Sequence, residues 1–195
     1  MHFIIVPLIA AALYFTKSGN TQSTDTTNGI PVHRDNPWSL PDIDSSEQKG
    51  VYARDYDDAF EKASHATRVP FALIKAHAIR ESSLNPGAYH YDNERSGASY
   101  GLMQVEWNKN NRFDKYGYPD SELGRDGSKL YDSEISAMLG AYIIRDNLNW
   151  LKGNIRDTIN AYNTGSTELN RPAPNNYTDD VIGYYQTLIG GPLNA

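Results

Sequence analysis

The chain has 195 residues, enough for one domain once the termini and a linker are set aside. Its formal charge of −6, from 24 acidic and 18 basic residues with no Lys or Arg cluster on a predicted element, argues against nucleic acid as the main partner. The absence of cysteine excludes disulfides, thiolate metal sites, a cysteine nucleophile and a lipidated amino-terminal Cys.

Phe3 to Phe15 is an uncharged apolar run of 13 residues broken by Pro7. A spanning helix needs roughly 17–25 residues, so the run is short for one and within the range of a signal-peptide core. Residues 1–16 therefore read as an anchor or signal-like segment. Three readings stay open: membrane contact through residues 3–15, cleavage, or burial of the apolar tail in an assembly. Residues 17–49 are rich in Ser, Thr, Asn, Asp and Pro with no apolar period, which reads as a flexible linker or extended arm. Trp38, with Val32 and Leu40, offers it a place to dock.

The domain is expected over residues 50–190. Tyr52, Tyr56, Ala59, Phe60 and Ala63 fall at helical spacing and predict a first helix to about Arg68. Pro70 opens a second from Phe71 to about Glu81, closed by Asn85-Pro86-Gly87. A polar loop with a short hairpin around Tyr89 to Tyr91 follows, and a third helix is expected from Ser99 through Trp107. Residues 108–131 carry Gly117, Pro119, Gly124 and Gly127 without a period and predict a long structured loop. Ser133 caps a long helix to about Leu151 with Ile135, Leu139, Tyr142 and Ile143 on its buried side, and Gly153 ends it. A shorter helix runs to about Tyr162, Thr178 caps a last one reaching Ile189, and residues 191–195 are a tail.

Glu81 stands out before any family is considered. At the carboxyl end of its helix the dipole and unpaired carbonyls disfavour a negative charge. Ala78 and Ile74 make the same face apolar, so desolvation adds to the upward pressure on its pKa. A protonated carboxyl of this kind can give a proton to the leaving oxygen of a glycosidic bond. The plain alternative is a surface Glu at a helix end, paired with Arg80 or His77. The 14 Tyr and 3 Trp supply polar-tipped aromatic rings that suit carbohydrate faces, although any one Tyr can be an ordinary core ring with its hydroxyl at the surface.

After Glu81-Ser82-Ser83-Leu84-Asn85-Pro86 come Ser99-Tyr100-Gly101-Leu102-Met103-Gln104-Val105, Ala161-Tyr162-Asn163-Thr164-Gly165 and Tyr177-Thr178-Asp179-Asp180-Val181. In these four ordered segments the chain resembles the soluble lytic transglycosylase family, over roughly residues 50 to 190. The resemblance implies a mainly α fold of lysozyme-like α+β type, a two-lobed helical domain with a small hairpin region. It also implies a substrate of peptidoglycan glycan strands and no cofactor or metal. Glu81 corresponds to the acid/base, and Ser82 to the small hydroxyl supporting the adjacent loop. Ser99 and Gly101 to Gln104 form the cleft wall: Gly101 admits a sugar close to the backbone, Met103 lines the saccharide subsites and Gln104 hydrogen-bonds across the cleft. Leu102 is core. Tyr162 and Asn163 face the acid, with the Tyr162 hydroxyl steadying the carboxyl or the substrate's acetamido group, and Tyr177 lies across the groove.

Two departures from the family pattern stand out. Gly97-Ala98-Ser99-Tyr100-Gly101 is one residue longer than the usual Gly-Ala-x-Gly and is similar to short variants of secretion systems and phage particles. Ser136 stands where the long helix usually has Asn.

The resemblance implies that Glu81 protonates the oxygen between N-acetylmuramic acid and N-acetylglucosamine. It then takes the muramoyl 6-hydroxyl proton, leaving a 1,6-anhydromuramoyl end. A hydrolase with paired carboxylates needs a second one roughly 5–10 Å away. Asp92, Glu94 and Glu106 are the nearby acids, and Asp92 or Glu94 over the cleft would make a goose-type lysozyme. A non-catalytic glycan-binding part of an envelope-spanning assembly is a further alternative. Asp92-x-Glu94-x-Ser96-Gly97 begins like a calcium loop but has Met103 at the twelfth position, and the five His form no metal motif. A tethered wall-cleaving enzyme implies a place in the virion or in the bacterial envelope or periplasm, within a larger phage or secretion assembly.

Overall fold

The computed structural model describes residues 36–50, 52–93, 97–107, 113–118, 123, 126–165 and 176–193, together with the strand pair β1 (Thr26–Thr27) and β2 (Ile30–Pro31). The apolar run 3–15 lies outside them, as do most of residues 17–35. Among the described residues no helix is long and apolar enough to cross a membrane.

Among the described residues five α-helices surround one core: α1 (Asp57–Thr67), α2 (Phe71–Ser82), α3 (Ser133–Trp150), α4 (Ile155–Thr164) and α5 (Tyr177–Ile189). Helix α1 packs along α3, and α2 along α5. Helix α2 is the central one, with every side chain from Phe71 to Ile79 buried, whereas a surface helix hides only one stripe. A small sheet is antiparallel, in the order β3 (Tyr89–Asn93), β4 (Gly97–Tyr100), β5 (Val105–Trp107). Its register pairs Tyr89 with Tyr100 and Ser99 with Glu106. Among the described residues the architecture is thus mainly helical, with this small three-stranded sheet and the short β1–β2 pair, and the mainly α expectation holds.

Three local expectations are corrected. No helix runs from Ser99 to Trp107; β4, a four-residue turn and β5 occupy that stretch. Val105 and Trp107 point inward and Glu106 outward, the alternation of a strand, and positive φ at Gly101 (72°) and Gln104 (45°) breaks any helix there. Helix α3 is capped by Asp132, whose side chain accepts from the Glu134 and Ile135 amides, and its buried stripe is Ser136, Ala137, Leu139, Gly140, Ala141, Ile144 and Leu148. Ile135, Tyr142 and Ile143 are only half-buried. Asn176, with φ 56°, precedes α5 in place of a Thr178 cap.

Part of the expected arm belongs to the packed body. Leu40 and Ile43 join the core, and Asp42 is buried. Pro70 has no side chain to cap α2, and Asp42 fills that role from a distance, accepting from the Ala72 amide at 3.3 Å and from Ile43 at 2.9 Å. The Tyr185 hydroxyl of α5 donates to the Pro41 carbonyl, and the Lys49 amide to Leu188 at 3.0 Å. Lys75, fully buried on α2, is ion-paired with Asp57, donates to Gln48 and reaches the Ala53 carbonyl at 2.7 Å. Composition hid this packing because the few apolar residues follow no period.

Candidate active site

Helix α2 ends in two consecutive left-handed residues, Ser83 (φ 55°) and Leu84 (φ 61°), whose amides turn back onto the Ile79 and Ala78 carbonyls. That cap stops the helix one residue after Glu81. Glu81 is partly open to solvent yet densely surrounded by protein, as a side chain in a concavity is. Burial pushes its carboxyl up to about 7, against the opposing pull of a hydrogen bond from Tyr177 and the charge of Arg80. The Tyr177 hydroxyl, from the first turn of α5, donates directly to Glu81 Oε1. Arg80 is held by Asp180 at 3.0 Å and lies 5.3 Å from the centre of the Tyr177 ring.

Two tyrosines therefore stand in exchanged places relative to the sequence expectation. Tyr177, expected across the groove, is 2% exposed and grips the acid. The Tyr162 hydroxyl donates a hydrogen bond to the Met103 carbonyl at 2.8 Å and so steadies the turn after β4, while the ring stays close enough to Glu81 to feel its charge.

The turn 101–104 is tied to the end of α2 and to α3. Ser82 Oγ lies 2.9 Å from the Leu102 carbonyl and 3.1 Å from that of Ala78. The Met103 amide donates to Ser136 Oγ at 3.1 Å, so the serine that replaces the family's usual Asn still holds this turn.

Three of the residues expected to meet saccharide turn inward. Met103 is fully buried and packs flat on Gly140 of α3, where a Cβ would come within 2.7 Å of it. Gln104 folds back on its own turn, donating to the Gly101 carbonyl at 3.0 Å and the Ala88 carbonyl at 3.2 Å. Gly101 is a glycine because a Cβ would lie 2.1 Å from the Leu130 carbonyl oxygen; what approaches its backbone is protein. Leu102 is core, Ser99 is half-buried on β4, and Asn163 is exposed at the end of α4. Of the rival acids, Glu106 is exposed on β5, while Glu94 and the Asp92 side chain lie outside the described residues.

Sequence reasoning gave His77 no part in the site beyond a pairing with a surface Glu81. It sits one turn before Glu81, fully buried, with Nδ1 3.1 Å from the Tyr177 hydroxyl and its ring centre 4.6 Å from that of Tyr162. The available signal was the spacing of four on one helix face. Among the described residues no cluster of three or more His, Asp or Glu is placed to hold a metal.

A central helix ending in a half-buried carboxyl whose pKa is raised to about 7, beside a small antiparallel sheet, has the general acid that a lysozyme-like, glycan-cleaving class of domain needs. Residues 58–182 match the Transglycosylase SLT domain, and the chain belongs to that family, whose members are peptidoglycan lytic transglycosylases. Over 128 residues it is 25% identical to Protein IpgF of Shigella flexneri, a match covering 66% of this chain and 79% of that protein. Protein IpgF of Shigella sonnei matches to the same extent. The X-ray structure of an inactive glutamate-to-glutamine mutant of the lytic transglycosylase Slt from Pseudomonas aeruginosa superposes with a TM-score of 0.58 at 18% identity, covering 72% of this chain. The match spans 25% of that enzyme's length, and at this identity the likeness is one of fold.

Proposed function

We propose that the domain cleaves the β-1,4 bond between N-acetylmuramic acid and N-acetylglucosamine, with Glu81 as the single acid/base and a 1,6-anhydromuramoyl end as product. The observation that carries this reading is the Glu81 carboxyl, held protonated to about pH 7 by burial and fixed by Tyr177. Glu81 gives its proton to the glycosidic oxygen as that bond breaks. The resulting carboxylate then removes the proton of the muramoyl 6-hydroxyl as its oxygen bonds to the anomeric carbon, so no water is consumed.

In this reading Ser82, Ser136 and Tyr162 hold the turn 101–104 against the acid, and Met103, Gln104 and Gly101 shape it from within. The half-buried Ser99 and the exposed Asn163 are the polar members of the set left to meet the glycan. Tyr89 and Tyr91, each more than half exposed on β3, offer further ring faces. A peptidoglycan substrate puts the work in the cell envelope. The apolar run 3–15 would serve as a tether, within a wall-crossing assembly such as a phage particle or a secretion apparatus. Membrane fractionation of the full chain beside a deletion of residues 1–16 tests the tether.

The reaction is tested by mass spectrometry of muropeptides released from purified peptidoglycan by the full chain and by Glu81→Gln. Anhydromuramoyl ends from the first and none from the second are expected. Reducing ends would make the enzyme a lysozyme using a second carboxylate, and no release by either protein would leave a glycan-binding or structural role.

A further inference from the structure

The Tyr177 hydroxyl has one proton and two polar neighbours, Glu81 Oε1 and His77 Nδ1. If Tyr177 donates to Glu81, its oxygen must accept from His77, and Nδ1 must carry the hydrogen. His77 is fully buried, and burial pushes its pKa down to about 3, so the ring is neutral and has one N–H. Its Nε2 has no partner among the described residues. With the hydrogen on Nδ1, Nε2 is left as an unpaired acceptor. In the other tautomer it would be an orphaned buried donor, the rarer and less favourable arrangement. That other tautomer would also turn Tyr177 toward His77, leaving Glu81 bonded to it only while protonated.

We infer that His77 is a positioning residue for the reaction. It fixes a one-way chain, His77 Nδ1–H to Tyr177 Oη–H to Glu81 Oε1, so that the proton Glu81 delivers is carried on Oε2. The inference rests on Glu81 being the acid. Because Oε1 always accepts from Tyr177, Oε2 alone is free to donate and then to take a proton back in the two halves of the reaction. The Tyr162 ring packed against the imidazole holds its plane. The other groups facing this chain are Arg80 on α2, Asp180 on α5 and the Tyr162 hydroxyl on α4, which Met103 engages.

Two variants of the full chain separate direction from packing. His77→Leu keeps apolar volume and removes the donor, whereas His77→Asn restores an N–H near the Nδ1 position. The rate of anhydromuropeptide release is followed against pH, with Glu81→Gln as control. In His77→Leu, the maximal rate is expected to fall about five- to tenfold with little change in apparent KM. Its alkaline limb should move up by about half a pH unit, since a tyrosine that accepts no hydrogen bond is a weaker donor to Glu81. His77→Asn should recover most of both. A limb and rate unchanged in His77→Leu, or His77→Asn falling as far as His77→Leu, overturns the inference.

Nitrogen-15 NMR of His77 in the wild-type chain decides the tautomer even if a variant fails to fold. Protonated Nδ1 is expected, and protonated Nε2 overturns the inference. Activity surviving in Glu81→Gln would instead overturn the reading of Glu81 itself.

Discussion

A carboxyl that must deliver a proton and then accept one works best when its pKa lies near the working pH. Burial brings Glu81 to about 7, so the rate of glycan cleavage is expected to be level in mildly acid solution and to fall about tenfold per unit well above pH 7. A pH–rate profile on purified peptidoglycan checks this, and a fall centred near the ordinary glutamate value would remove the acid role. The same shift bears on stability. In the unfolded chain Glu81 ionises near 4.5, in the folded one near 7, so the folded protein loses stability as pH rises through that window. Glu81→Gln is therefore expected to raise the thermal midpoint at pH 8, by the equivalent of about 2 kcal/mol, and to change it little at pH 4. Asp42, which burial also raises to about 7, contributes in the same direction in both proteins, so the difference between them isolates Glu81. Glu81 was legible from sequence because a helix end and an apolar face are local features. Tyr177 lies on α5, far along the chain, and only packing of α2 against α5 could reveal that it, and not Tyr162, holds the carboxyl.

Periodicity located α1 because it buries residues at helical spacing, whereas α2, buried all round from Phe71 to Ile79, was marked off by Pro70 and Asn85-Pro86-Gly87. Periodicity failed from Ser99 to Trp107, where strands of four and three residues flank a turn and no run is long enough to show a period. Gly101 is the hinge of that turn, with φ 72° and the Leu130 carbonyl where a Cβ would go. Gly101→Ala combines left-handed strain with a backbone collision that cannot be relieved by rotating a side chain, and is expected to destabilise by about 3 kcal/mol or more. Gly117, with φ 83° and open space around it, carries the strain alone, so Gly117→Ala is expected to cost about 1 kcal/mol. Urea unfolding of both variants measures the contrast. Equal losses would mean that the close approach of the turn to Leu130 is not what requires glycine.

At the scale of the whole molecule, the boundary between arm and domain matters most for how the protein is used. Composition put it at Gly50, because a Ser-, Asn- and Pro-rich stretch with scattered apolar residues has the look of a linker. The packing puts Asn36 to Gln48 on the body: Leu40 and Ile43 cover the core, Asp42 caps the otherwise uncapped start of α2, and Gln48 receives the buried Lys75 ammonium. Removing them would expose two aliphatic side chains' worth of core, roughly 1.5–3 kcal/mol each, and would strip a cap worth about 1 kcal/mol from the helix that carries Glu81. It would also leave Lys75 with one fewer partner in a dry site, where a poorly paired charge is strongly destabilising. A fragment of residues 36–195 is therefore expected to melt within a few degrees of the full chain, and a fragment of residues 50–195 about 10–20 °C lower. Because α2 positions the acid, the shorter fragment should lose glycan cleavage at temperatures where the longer one keeps it. Differential scanning calorimetry with a parallel activity assay decides the matter. If the two fragments melt together, residues 36–49 cover the core without stabilising it, and the working domain begins where composition first put it.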